Sequence, residues 1–271
     1  MTINKKYKDS LFRSIFNNKP AALELYNAIA GTNYTDESAI KINTLKDVLF
    51  AAIQNDLSFS INEKIVILIE HQSTINENMP IRFLAYISNI YLKILGKRLY
   101  HEPLAKLPRP EFVVLYNGKA PFSREKILRL SNAFEKTDNN DLIFLDLTVR
   151  VLNINKGINP ELENRSKILN GYATFIAKVR GYEIKMPREE AIKSAIDYCI
   201  KNDILTDYFK EHAQEVVKML MFEYNLEDHI EAVREAGIEK GVEKGKKEGQ
   251  SYVLELMAQG LSYEEIKKKI E

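Results

Sequence analysis

The chain has 271 residues, of which 45% are hydrophobic and 28% charged, and its 39 Lys plus Arg against 38 Asp plus Glu leave a net charge of +1. This suits one large globular domain or a domain with an appended segment, and it gives no global electrostatic case for nucleic-acid binding, which must then rest on a local basic patch. The single cysteine excludes an internal disulfide; with a polar N-terminus and no apolar stretch near ~20 residues, the expectation is a cytoplasmic chain that enters no membrane.

Taken in order, Tyr7, Leu11, Phe12, Ile15 and Phe16 share one helical face over 5–16. Asp9 and Arg13 lie at i and i+4 on another face, where they can pair. Pro20 opens a second helix through Ala30, with Gly31 as its C-cap. The segment 34–46 has no clear period. From Val48 to Ile61 the pattern becomes strand-like, with Leu57, Phe59 and Ile61 alternating against Asp56, Ser58 and Ser60.

Ile65–Gln72 is the most informative stretch. Five apolar, mostly β-branched residues run into Glu70, His71 and Gln72, the composition of a buried strand. A strand so buried should not end in a carboxylate without a partner, because an unpaired buried charge is costly. Glu70 and Gln72 share a face, and His71 points the other way. With the preceding strand this makes a hairpin around Asn62-Glu63. A two-residue loop sets Asp56 opposite Ile69, and a three-residue loop sets it opposite Glu70. The second register is preferred, because a one-residue slip sends Asp56 to the other face.

Beyond the hairpin, Met79-Pro80 leads into a helix over 81–95 that ends at Gly96, with Arg82 near its start. A Pro-rich loop precedes a strand over 112–116, closed by Asn117-Gly118. The segment 123–135 reads as short helix or irregular chain, and 142–154 as a strand. Helical periods cover 164–180, 188–201 and 206–224. Cys199, among Ile196, Tyr198 and Ile200, reads as a small core residue rather than a nucleophile. Interleaved strands and helices make the class α/β or α+β, with α/β preferred.

The C-terminus differs. Gly237, Gly241, Gly245 and Gly249 recur every four residues among Glu and Lys. Each costs about 0.8–1 kcal/mol of helix propensity relative to Ala, so a solvated helix or partly ordered linker is expected. An amphipathic helix over 252–270 breaks at Gly260 and restarts with Ser262 as N-cap and Glu265 at N3, a capping box. The expected division is a domain over 1–225 and a helical tail over 226–271, the tail serving interaction or self-association.

Two carboxylates about 5 Å apart repel by about 3 kcal/mol at an effective dielectric near 20. A shared proton or a bound cation resolves this. Asp56, Glu70 and the backbone carbonyl of His71 make an oxygen set suited to Mg²⁺, and a metal so held serves phosphodiester hydrolysis. The competing reading has Asp56 capping the hairpin and Glu70 paired with Arg82 or Lys64, and spacing alone favours it slightly. His101, His212 and His229 lack metal-ligand spacing. Arg82, Lys93, Lys97 and Arg98 are basic residues that could meet phosphates, though Lys93 and Lys97 read better as a solvated helix end.

Asp56, thirteen residues, then Glu70-x-Gln72 after an apolar strand resembles the PD-(D/E)XK nuclease superfamily. Several stretches resemble, more narrowly, the recombination-promoting nuclease and putative transposase family. They are Lys6-Tyr7-Lys8-Asp9-Ser10-Leu11-Phe12-Arg13, Asn55-Asp56-Leu57-Ser58-Phe59, Leu68-Ile69-Glu70-His71-Gln72-Ser73, Met79-Pro80-Ile81-Arg82, Phe112-Val113-Val114-Leu115-Tyr116-Asn117-Gly118 and Val151-Leu152-Asn153-Ile154-Asn155. The resemblance covers nearly the whole chain, with Glu70-His71-Gln72-Ser73 its most specific part. It implies a restriction-endonuclease-like core, a mixed β-sheet flanked by helices, with a helical C-terminal extension. It also implies cleavage of DNA, associated with recombination or transposition, with Mg²⁺ or Mn²⁺ as cofactor. Asp56 and Glu70 match the acidic metal ligands, and Asp9 stands where such folds carry a supporting acid, unless it pairs with Arg13. Gln72 stands where the superfamily most often has Lys. It can orient a water but brings no cation to the developing charge. The alternatives are an inactive nuclease-fold protein acting as an interaction module, and an RNase on the same scaffold.

Overall fold

A computed structural model describes residues 11–42, 57–62, 65–135, 142–260 and 262–270. In chain order the elements are α1 (Leu11–Phe16), α2 (Lys19–Ala30), β1 (Ile40–Ile42), β2 (Leu57–Ile61), β3 (Ile65–Gln72), α3 (Met79–Leu95), α4 (Arg98–His101), β4 (Arg109–Tyr116), β5 (Glu125–Arg129), β6 (Thr148–Asn153), α5 (Pro160–Arg165), α6 (Lys167–Glu183), α7 (Arg188–Lys201), α8 (Thr206–Ala258) and α9 (Tyr263–Ile270). The chain divides into two compact units, Met1–Leu220 and Met221–Glu271.

The first unit is α/β. Its described strands form one six-stranded mixed sheet in the order β1-β2-β3-β4-β6-β5. β1, β2 and β3 run as an antiparallel meander, β3, β4 and β6 are parallel, and β5 lies antiparallel to β6. In the β2–β3 hairpin Leu57 pairs with Ile69 and Ile61 with Ile65, the register of a three-residue loop.

The pleat divides the sheet's side chains between two faces. One face carries Glu70, Gln72, Phe112, Val114, Tyr116, Val149 and Val151. α3 covers it with Met79, Phe83, Tyr86, Ile87 and Ile90, and Leu128, Leu130 and Leu147 complete this core. The other face carries Phe59, Ile69, His71 and Leu115. α1, α2 and α6 pack there, with Tyr26 edge-on to Phe59 and Phe12 stacked on His71. The mixed sheet thus has helices on both faces.

Local signals explain most element ends. Asn18 caps α2 by accepting from the Ala21 N–H, and Gly31 closes it with φ 70°. Ser166 caps α6 through the Leu169 N–H, and its own hydroxyl donates to Glu24 of α2, joining the two helices. Cys199 is fully buried in α7, and burial pushes its thiol up to about 11, as suits a core residue.

Three segments depart from the sequence expectation. β1 is three residues long, too short to show a period. Residues 125–129 form an edge strand in which only Leu128 is buried, so no alternation marks it. Residues 142–147 lie outside the strand expected there, and β6 begins only at Thr148.

In the second unit, α8 stays helical through all four periodic glycines to Ala258. Exposed pairs Lys247–Glu243 and Lys244–Glu248 at i, i+4 support it. Gly260 turns the chain at φ 81°. The Glu265 carboxylate then accepts from the Ser262 N–H and hydroxyl, the expected cap of α9. Among the described residues no helix is long and apolar enough to cross a membrane.

Candidate active site

Glu70 sits near the carboxyl end of β3, beside the parallel strand β4. Open α/β sheets take their ligands at this end of parallel strands. Glu70 is 5% exposed. Its Oε2 accepts from an Arg82 guanidinium nitrogen at 3.2 Å, and that nitrogen also donates to the Tyr86 hydroxyl at 2.8 Å. Arg82 and Tyr86 lie one turn apart on α3, so one helix face supplies both partners. Burial, and then the Glu70 charge, push the Tyr86 phenol up to about 12. It therefore stays protonated and neutral beside the carboxylate.

Gln72 lies two residues further on the same face. Its amide nitrogen contacts the Met79 sulfur at 2.8 Å, and Arg82 lies 3.7 Å from the same sulfur. The polar heads of Gln72 and Arg82 therefore flank one side chain. A small depression opens beside Gln72, lined among others by Thr74, Tyr116, Phe122 and the ion-paired Glu77 and Lys126.

His71 turns to the opposite face, as its alternation requires. Its ring stacks on Phe12 at 4.9 Å, and Nε2 lies 2.9 Å from the Tyr172 hydroxyl. Burial, helped by the Arg180 charge, lowers its pKa to about 4. Its imidazole is not beside Glu70.

The ends of the three parallel strands are tied from α6. Arg180 donates to the Asn117 carbonyl and side-chain oxygen and to Asn155 Oδ1. Asn155 in turn donates to the Gly118 carbonyl, and the Asn117 N–H donates to the Gln72 carbonyl at 2.9 Å. Gly118 is required here, because a Cβ would overlap the Ser73 carbonyl and the Tyr116 ring. The Asn-Gly and Asn-x-Asn pairs of the sequence thus meet in one network that fixes the end of β3.

Of the site residues expected from sequence, Glu70 and Gln72 stand on one face, with the His71 backbone between them. Asp56 and Asp9 lie outside the described residues. Among the described residues no group of three or more His, Cys, Asp or Glu side chains could hold a metal. Still, a buried carboxylate with a strand carbonyl and an amide next to it suits a hard, oxygen-preferring cation. Such a cation would share Glu70 with the guanidinium of Arg82. The Glu70–Arg82 pair is also the partner choice that the competing sequence reading named. Tyr86 was not singled out, although its i, i+4 spacing from Arg82 was a usable signal. Tyr172, 101 residues from His71, left none.

No protein-family model matches the chain, and neither a curated protein nor a solved structure matches it.

Proposed function

We propose that the protein is a Mg²⁺-dependent DNA endonuclease with a restriction-endonuclease-like core, of the recombination-promoting and transposase-like kind, acting in the cytoplasm. The hairpin register carries this reading. Leu57 faces Ile69, the three-residue-loop register that the sequence pattern favours, and Glu70 and Gln72 share one face of β3. On this reading Asp56, Glu70 and the His71 carbonyl hold Mg²⁺, or Mn²⁺ in its place, with Asp9 in support unless Arg13 takes it. The metal would supply Lewis-acid activation of a phosphoryl oxygen and of a bound water. Gln72 orients that water by its amide. Tyr86 and Arg82 hold the Glu70 carboxylate in place from α3.

The second reading is a catalytically inactive interaction module on the same fold. One observation favours it: Glu70 has a cationic partner in Arg82 at 3.2 Å. Calorimetry separates the two. The nuclease reading expects saturable Mg²⁺ and Mn²⁺ binding that is lost in both Glu70→Ala and Asp56→Ala. Heats indistinguishable from buffer would leave the module reading standing.

The C-terminal tail fits self-association in either case. Ile238, Val242, Gly245, Gly249 and Tyr252 follow a 4-3-4-3 spacing, the spacing of a coiled-coil seam. Ile238, Val242 and Tyr252 are 57%, 52% and 45% exposed.

A further inference from the structure

Phosphodiester hydrolysis gathers negative charge on the phosphoryl oxygens. Groups that meet this charge as it develops speed the reaction more than groups that bind the substrate and the transition state alike. On the sheet side of the candidate site the residue after the acidic pair is Gln72, which is neutral. The cation at this place comes from α3 instead. Arg82 is 3.2 Å from Glu70 and shares the Met79 sulfur with Gln72. Its side chain is 37% exposed, against 6% for Glu70. The arginine side chain is therefore the member of the pair more open to solvent.

Resting on the nuclease reading above, we infer that Arg82 is a catalytic residue, the cation that meets the phosphoryl oxygens of the scissile phosphate. The Tyr86 hydroxyl and the Glu70 carboxylate both accept from one guanidinium nitrogen. That arrangement orients the planar group, and a guanidinium presents five N–H donors in a fixed fork that matches phosphate geometry. In the step it serves, water adds its oxygen to phosphorus and releases its surplus proton to solvent. The bond from phosphorus to the leaving deoxyribose oxygen breaks, and that oxygen takes a proton from solvent. Arg82 keeps its proton throughout and supplies charge alone.

A merely structural Arg82, present to neutralise Glu70, makes a different set of forecasts. The test compares plasmid nicking, Mg²⁺ affinity by calorimetry and thermal melting for wild type, Arg82→Lys, Arg82→Met and the double variant Arg82→Met with Gln72→Lys. A catalytic Arg82 gives a fall in kcat of about 100-fold in Arg82→Met, with KM within about three-fold, in line with the loss of one charge-stabilising donor. Mg²⁺ affinity stays level or rises, because a cation beside Glu70 is gone. Arg82→Lys retains more activity than Arg82→Met. Gln72→Lys returns a cation to the same face and recovers at least about ten-fold of the lost kcat. Mg²⁺ binding that falls together with activity in Arg82→Met, or no recovery in a double variant that melts like wild type, overturns the inference. A wild type that nicks no better than Glu70→Ala overturns the nuclease reading and this inference together. An active wild type indifferent to Arg82→Met overturns this inference alone.

Discussion

At the scale of single residues, two neighbours on β3 have opposite environments. Glu70 keeps a cation and a phenol beside it, whereas His71 is held between Phe12 and Tyr172 on the far face. The histidine makes a pH dependence that can be measured. Its folded pKa of about 4 lies below its ordinary 6.5, so between these values the unfolded chain binds the proton more readily. The contribution to stability is then complete above about pH 6.5 and is lost as the pH falls through 4, by at most about 3 kcal/mol. His71→Gln keeps a hydrogen-bonding partner for Tyr172 but does not titrate. Its melting temperature should therefore change less than that of wild type between pH 7 and pH 4. Parallel curves for the two proteins would show that His71 does not carry the dependence. The alternation of β3 made the direction of His71 legible in sequence. Its partners were not, since Phe12 and Tyr172 come from α1 and α6, and only the tertiary fold brings them to one ring.

At the scale of elements, strong local patterns were legible and weak ones were not. β3 has its continuous apolar run, α2 its Pro20 start and Gly31 stop, and α9 its Ser262–Glu265 pair; each carries its own signal over a few residues. β5 carries none, because it is an edge strand with one buried residue, and its existence depends on pairing with β6. The hairpin register was legible for a different reason. A slip by one residue reverses every side chain of a strand, so facing and chemistry had to agree. α8 is the reverse case, where glycine propensity argued against an unbroken helix and the helix persists to Ala258. Its exposed seam of Ile238, Val242 and Tyr252, with glycines between, suits a second copy of the same helix, and the full chain is expected to sediment as a dimer. Ile238→Glu with Val242→Glu places charges in that seam and should shift the chain to monomer. A wild type that sediments as monomer at all concentrations tested would remove the self-association proposal.

At the scale of the whole molecule, a nearly neutral chain offers little long-range attraction for DNA. The proposed function therefore rests on local geometry, at the carboxyl ends of three parallel strands. Arg180, Asn117 and Asn155 fix those ends from behind. α3 brings Arg82, Tyr86 and Met79 to the front. The sheet sets Glu70 and Gln72 between these two layers, and the proposed activity requires both. The most direct measurement is conversion of supercoiled plasmid to open circle by the purified full chain with Mg²⁺, beside Glu70→Ala and an EDTA control. The account expects nicking by wild type alone, lost in Glu70→Ala and restored when Mg²⁺ is returned after EDTA. Equal nicking by wild type and Glu70→Ala, or none by either, would contradict it.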